Sequence, residues 1–220
     1  MPARARPIPC DLARPGDRLR ATPGIQRVPA ASLELFIVKG FLDPALCARL
    51  IARIDRNRRP STIADDQGKD AFFRTSETCD LDGGDPVVAT VNAAICGLLG
   101  LPEEVSEPLQ GQRYAAGQEF KPHTDTFEPS GLDFYEHCAE RGNRSWTAMI
   151  YLNVPEDGGA TRFKTIGKTI QPETGKLLCW NNLLADGRPN PATLHQGMRV
   201  RKGTKYVLTK WFRERAATRA

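Results

Sequence analysis

The chain lacks any long apolar segment, and this absence excludes the simplest ways of crossing a membrane. A transmembrane helix needs about 20 consecutive apolar residues, and none of the 220 residues lies in such a run. The N-terminal stretch MPARARPIPCDLARPGDR is basic but contains no apolar core of the kind that a secretory signal requires. The sequence therefore predicts a cytoplasmic protein with no membrane partner.

Paired cysteine motifs and basic runs mixed with aromatic residues are also missing. The six cysteines form no CxxC pair, which favours reduced thiols in a cytosol over a disulfide framework. The net charge is +5 and the pI is about 9.0, but part of the excess lies at the two ends of the chain. Single-strand binders combine cationic grooves with stacking aromatics, so we do not expect nucleic acid as a partner.

The N-terminal half predicts an arm followed by two supporting helices. Residues 1–30 are rich in Pro and Arg and have no periodicity, so they indicate a flexible arm that precedes one domain at 31–220. Within about 43–100, Asp43 and Asp85 each stand immediately before a proline and an apolar stripe of helical period. An aspartate followed by proline is a typical helix start.

The pattern changes after residue 108 to short apolar runs separated by turn residues. They include LQGQRYA, SWTAMIYLNV, KLLCWNN and KYVLTKWF. Regularly spaced short strands of this kind predict antiparallel sheets. The predicted fold is α+β and mainly β, a double-stranded β-helix (jelly roll) over about 108–213 with N-terminal helices packed on one side.

Only three histidines occur, and two of them suit a metal site. His123 and Asp125 are two residues apart, so on extended backbone both side chains point to the same side. Two imidazoles and one carboxylate form the facial triad of non-haem iron sites. His195 lies in a credible strand, ATLHQGMRV, whereas His137 lies in a charged stretch typical of a surface imidazole. His195 is therefore the better third ligand, although HxD alone is a weak motif.

A lysine ten residues after His195 strengthens this interpretation. In TKYVLTKWF, the alternation places Lys205 on the same strand face as Val207 and Trp211. An ammonium on such a face needs an anionic partner, since an isolated buried charge is costly. We expect a hairpin to place Lys205 about 10 Å along the same sheet from His195. A short diacid then bridges the metal and the lysine.

Several motifs in this order resemble one enzyme family. The motifs are FLDPALCARLI, RTSE, RYAAGQEFKPHTD, RSWTAMIYLNVPEDGGATRF, TGKLLCWNN and LHQGMRVRKGTKYVLTKWFRE. Over about 33–213 the chain resembles the Fe(II)/2-oxoglutarate-dependent dioxygenases, within them the prolyl 4-hydroxylase branch. The resemblance implies that His123, Asp125 and His195 bind iron. It also implies a cosubstrate pocket formed by Tyr114, Thr161, Lys205 and Trp211, and a substrate side that includes Arg74 and Arg144. Phe120, at the start of FKPHTDTFEP, is a further candidate for the substrate side.

The resemblance implies hydroxylation of an unactivated C–H bond, most simply on a prolyl residue of a protein or peptide. Its cofactor is Fe(II), its cosubstrates are 2-oxoglutarate and O2, its products include succinate and CO2, and ascorbate is a further expected cofactor. Hydroxylation of a free amino acid or another small molecule is an alternative. A nucleic-acid demethylase of the same superfamily is another alternative. That branch usually holds its cosubstrate with arginines after the second metal histidine, whereas Arg199 and Arg201 both precede the expected position, which Lys205 occupies. A jelly-roll ligand binder without catalysis is the third.

Overall fold

The computed structural model describes residues 14–62, 73–129 and 132–217, and it contains four α-helices and fourteen strands there. The helices are α1 (Pro15–Ala21), α2 (Pro44–Arg56), α3 (Pro86–Leu99) and α4 (Leu132–Cys138). The strands are β1 (Gln26–Arg27), β2 (Leu35–Val38), β3 (Arg59–Pro60), β4 (Glu77–Asp80), β5 (Gln110–Tyr114), β6 (Phe120–His123), β7 (Arg144–Tyr151), β8 (Asp157–Gly158), β9 (Thr161–Phe163), β10 (Lys168–Ile170), β11 (Leu177–Asn181), β12 (His195–Gly197), β13 (Val200–Lys202) and β14 (Lys205–Arg213). None of the helices in these ranges is both long and apolar enough to cross a bilayer.

The strands form two main antiparallel sheets, as the jelly-roll prediction requires. The larger sheet has eight strands in the order β1-β2-β11-β7-β14-β5-β4-β3, and the smaller has four in the order β10-β9-β12-β6. One apolar cluster lies between the sheets and includes Tyr151, Phe163 and Trp180. A second cluster joins the other face of the larger sheet to the helices. The predicted fold class is confirmed.

The two long helices begin where the sequence predicts. The Asp43 carboxylate accepts a hydrogen bond from the Leu46 amide at 2.8 Å, and the Asp85 carboxylate accepts one from the Val87 amide at 2.8 Å. Each aspartate therefore satisfies an amide that the helix itself leaves unpaired. Helix α3 ends at Gly100, whose φ of 68° is readily adopted by glycine.

Strand β14 divides its side chains between the two apolar clusters. Tyr206, Leu208 and Phe212 pack with the helices, while Lys205 and Val207 face the space between the sheets. This division follows directly from the two-residue period of an extended strand. It places a lysine inside the molecule, where its side chain is 2% exposed.

Two features differ from the sequence-based expectations. Within the predicted flexible arm at 1–30, residues 14–30 form α1 and β1, and Leu19 is fully buried; residues 1–13 lie outside the described ranges. Arg18 donates to the carbonyl oxygens of Gly97 and Leu98 at the end of α3, which explains why a short helix is held there. The second difference is that β12 and β14 belong to different sheets, so His195 and Lys205 do not share a hairpin.

Candidate metal and cosubstrate site

His123, Asp125 and His195 come together at one end of the space between the sheets. Strands β6 and β12 pair so that His123 lies directly opposite His195. One donor atom from each of the three side chains lies within 4.8 Å of the others, and the three residues are buried or half-buried. Pro122 is tolerated in β6 because β6 is an edge strand. The register of β6 and β12 shifts just after His195, a bulge of the kind often found beside active sites.

The hydrogen bonds of the two imidazoles engage Nδ1 and leave Nε2 for a metal. Nδ1 of His123 lies 2.8 Å from the Lys121 carbonyl oxygen, and Nδ1 of His195 lies 2.8 Å from the Thr193 carbonyl oxygen. A carbonyl only accepts, so each Nδ1 carries the proton and each Nε2 has a free lone pair. Both rings therefore leave Nε2 as the nitrogen available to a metal.

The carboxylate of the triad is held in its charged form. Thr147 donates to one oxygen of Asp125 at 2.7 Å, and the other oxygen lies 3.9 Å from Nε2 of His123. Burial alone raises the pKa of Asp125, but His195, His123 and Arg144 outweigh it and hold the pKa below its ordinary value. Burial, followed by His195, lowers the pKa of His123 to about 3. An anionic carboxylate beside two imidazoles fits the donor set of Fe(II).

Lys205 occupies the other end of the same pocket. Its Nζ lies 5.0 Å from the ring centroid of Tyr114 and 5.3 Å from that of Tyr151. Burial lowers the pKa of Lys205 from 10.5 to about 7, and no hydrogen bond or ion pair to its ammonium occurs among the residues at 14–62, 73–129 and 132–217. Gly197, two residues after His195, lies close to Nζ: a Cβ at that position would be 3.9 Å away. Lys205 and the triad thus line the same pocket.

The pocket between the triad and Lys205 contains about 400 Å³ of space within it and at its mouth. Its walls come from both sheets, and polar or charged side chains make up half of its lining residues. The lining residues are Gln112, Tyr114, Phe120, His123, Asp125, Met149, Thr161, Trp180, His195, Gly197, Lys205, Val207, Thr209 and Trp211. The residues predicted for the metal and the cosubstrate therefore all line one pocket.

Two of the expected cosubstrate residues make hydrogen bonds within the protein. The Thr161 hydroxyl lies 2.6 Å from the Tyr151 hydroxyl, which also lies 3.2 Å from the Ile170 carbonyl oxygen, and 3.9 Å from the Met149 sulfur. Tyr114 instead donates its hydroxyl proton to Oε1 of Gln112 at 2.9 Å. Tyr114 lines the pocket, and its hydroxyl is engaged by Gln112, which lines the same pocket.

The residues proposed for the substrate side take different positions. Phe120 lines the pocket and stacks on His123 with 3.5 Å between ring centroids. Arg74 does not line the pocket but lies over the Phe120 ring at 4.9 Å. Arg144 also lies behind the wall, 4.0 Å from the Trp211 ring centroid. Both Arg144 hydrogen bonds to Glu107 measure 2.7 Å, so this guanidinium is already paired.

Sequence reasoning did not identify several pocket residues. Gln112 lies two residues before Tyr114 in β5, and strand alternation alone places both on the same face. Trp180 packs edge-on against His195 with centroids 5.0 Å apart, and its buried indole N–H has no partner among the described residues. Thr209 also lines the pocket, because strand alternation places it on the same face of β14 as Lys205 and Trp211.

The other candidate residues, two arginines for the anion and one histidine for the metal, do not line this pocket. Arg199 is exposed and paired with Glu119, and Arg201 is exposed and paired with Asp157. His137 lies in α4, where its ring is 4.8 Å from that of Phe127. The chain thus presents one lysine, rather than a pair of arginines, to an anion in this site.

A jelly roll that directs two histidines and one carboxylate into a pocket defines a non-haem iron oxygenase. The match to known families agrees, since the family model described as the 2OG-Fe(II) oxygenase superfamily matches residues 109–213. Over these residues the chain is similar to this superfamily, and the relatives it matches are prolyl hydroxylases.

Named relatives carry the same likeness. The chain is 35% identical over 146 residues to prolyl 4-hydroxylase subunit alpha-1 of Rattus norvegicus, a match that covers 66% of this chain but 27% of the relative. The chain thus spans about a quarter of the length of that relative. The viral collagen prolyl hydroxylase of Paramecium Bursaria Chlorella virus-1, solved as a 2OG complex, has a TM-score of 0.65 and 26% identity over 81% of this chain and 95% of its own. A Pseudomonas putida prolyl-4-hydroxylase, at 21% identity and a TM-score of 0.61 over 84% of this chain and 95% of its own, shares the fold.

Proposed function

We propose that the protein hydroxylates a C–H bond of a prolyl residue in a protein or peptide, using 2-oxoglutarate and O2 and releasing succinate and CO2. The observation that carries this proposal is the pocket that contains both the metal triad and a buried lysine without a partner in the described part of the chain. The relatives whose names specify prolyl hydroxylation support the choice of substrate. Their partial coverage leaves the particular polypeptide open.

The chain's own groups have defined tasks in this reaction. His123, Asp125 and His195 hold Fe(II), which, together with 2-oxoglutarate and O2, supplies the oxidising chemistry. Lys205 pairs with the far carboxylate of 2-oxoglutarate, and Thr161 donates to it. Pocket walls of Phe120, Trp180 and similar residues keep water away from the reacting atoms, where it would otherwise compete.

The substrate is proposed to enter beside Phe120 and Trp211, the aromatic pocket residues nearest to Arg74 and Arg144. Flat aromatic surfaces suit the apolar face of a pyrrolidine ring. Arg144 holds the Trp211 ring from behind through its contact at 4.0 Å, while Glu107 fixes the plane of the guanidinium. We therefore assign Arg144 to the support of the substrate wall rather than to direct contact.

Two finer assignments accompany this function. We propose ascorbate as the reductant that keeps the bound iron in the Fe(II) state between turnovers. We also propose a cytoplasmic location, supported by the free thiols of the five cysteines that the structure describes.

The function is tested by incubating the protein with Fe(II), 2-oxoglutarate, O2 and ascorbate in the presence of proline-containing peptides or free L-proline. Mass spectrometry should show peptide products heavier by one oxygen atom, with equimolar succinate. Turnover of free proline alone would replace the peptide substrate by a small molecule. Loss of a methyl group from alkylated nucleic acid, with no effect on peptides, would contradict the proposal and favour the demethylase alternative.

A further inference from the structure

The hydroxyl of Tyr114 has two hydrogen-bond partners within the protein, Gln112 and Ser76. Tyr114 is 3% exposed and donates to Oε1 of Gln112 at 2.9 Å. Gln112 is 5% exposed and itself lines the pocket. Its Nε2 also donates to the Thr209 hydroxyl at 3.3 Å, so the amide is held on both sides.

The direction of this hydrogen bond is set by two charged groups further along the wall. Oε1 of Gln110 accepts from Arg74 at 3.3 Å and from Nε2 of Gln112 at 3.2 Å, while Nε2 of Gln110 donates to Asp80 at 3.2 Å. A guanidinium only donates and a carboxylate only accepts, so the Gln110 amide has one orientation. The amide nitrogen of Gln112 must then face Gln110, which leaves its oxygen for Tyr114.

A phenol has one proton, and a carboxylate can only accept. While Tyr114 donates to Gln112, it can present only lone pairs to a carboxylate in the Lys205 pocket. We propose that Gln112 is a positioning residue that weakens 2-oxoglutarate binding, because it competes with the cosubstrate for the Tyr114 proton. This inference rests on the proposed function, since it requires the cosubstrate carboxylate to lie between Lys205 and Tyr114.

The size of the effect follows from the one hydrogen bond that must break. Net contributions of neutral hydrogen bonds correspond to a factor of about two to ten in an equilibrium constant. Gln112→Met keeps the length of the side chain and removes the competing oxygen. We therefore expect Gln112→Met to lower the Kd for 2-oxoglutarate by about twofold to tenfold.

A double-mutant cycle tests this inference through binding alone. 2-Oxoglutarate is titrated calorimetrically, without O2, into the Mn(II)-loaded wild type, Gln112→Met, Tyr114→Phe and the double variant. We expect the gain in affinity from Gln112→Met to disappear in the Tyr114→Phe background. Gln196→Met serves as the matched control, because Gln196 alternates with the pocket residues His195 and Gly197 and should leave Kd unchanged.

Three results would overturn the inference. They are an unchanged Kd for 2-oxoglutarate in Gln112→Met, a higher Kd in that variant, or an equal gain in affinity with and without the Tyr114 hydroxyl. Where Gln112→Met does not fold, as judged by circular dichroism, Gln112→Leu takes its place in the cycle. Lys205→Met separates this inference from the proposed function. Unchanged 2-oxoglutarate affinity in Lys205→Met contradicts the proposed function itself. If Lys205→Met loses affinity but Gln112→Met binds 2-oxoglutarate as the wild type does, only the inference is contradicted.

Discussion

Replacing Lys205 by methionine should weaken 2-oxoglutarate binding and, at the same time, stabilise the free protein. Lowering the pKa of a lysine from 10.5 to about 7 by burial corresponds to a cost of roughly 5 kcal/mol. A methionine of similar length avoids that cost. Loss of one partner from a buried charge pair typically costs about 2 to 5 kcal/mol in binding, so the Kd should rise by at least about thirtyfold.

The pH dependence of both effects follows from the direction of the shift. Below pH 7 the folded, free protein carries the buried charge and the full cost of burying it. Between pH 7 and 10.5 the unfolded chain holds one more proton at Lys205 than the folded one, so this cost declines as the pH rises. The stabilisation by Lys205→Met should therefore be largest at or below pH 7. Wild-type affinity for 2-oxoglutarate should fall by about tenfold per pH unit above pH 7, because binding must restore the proton.

Thermal unfolding without ligand and calorimetric titration of 2-oxoglutarate into Mn(II)-loaded protein measure the two effects. Lys210→Met is the matched control: Lys210 is also buried in β14, but its Nζ donates to the Glu107 carbonyl at 3.1 Å on the opposite face. We expect that variant to lose stability and keep its 2-oxoglutarate affinity. A Lys205→Met protein that is less stable than wild type, or that binds 2-oxoglutarate equally well, would refute the reasoning.

Three further predictions concern the metal and the anion. Thr147→Val should weaken Mn(II) binding by about tenfold to a hundredfold, because Asp125 loses its orienting hydrogen bond; equal affinity by metal titration would show that this bond is not needed. His123→Ala should abolish Fe(II) binding and succinate formation together, and normal succinate release in that variant would contradict the assigned triad. Arg199→Ala and Arg201→Ala should leave the Kd for 2-oxoglutarate unchanged, since both side chains pair on the surface. A large loss of 2-oxoglutarate affinity in either arginine variant would favour the demethylase alternative.

Much of the site was predictable because histidine is scarce and the strands alternate. With three histidines in the chain, the two-residue step from His123 to Asp125 and the strand around His195 left few combinations for a triad. The alternation in β14 placed Lys205 inside the protein, which the structure bears out. The helix starts at Asp43 and Asp85 were equally local signals.

Other features depended on contacts between distant residues. The expected hairpin between His195 and Lys205 was wrong because β12 and β14 pair with different neighbours, and no local pattern encodes that choice. Arg144 was expected at the substrate, but Glu107, which lies 37 residues earlier, pairs with it behind Trp211. The predicted arm at 1–30 contains a docked helix, because Arg18 meets the carbonyl end of α3.

By itself, the sequence determined the helix caps, the inward faces of the strands and the chemical types of the metal ligands. These properties depend on backbone period and on hydrogen bonds that span only a few residues. The tertiary structure alone decided that the triad and Lys205 face one another across two sheets, and that Tyr114 donates to Gln112. The first depends on which distant strands become neighbours, and that choice reflects the packing of the whole core rather than any single segment. The second depends on Arg74 and Asp80, which orient the amides of Gln110 and Gln112.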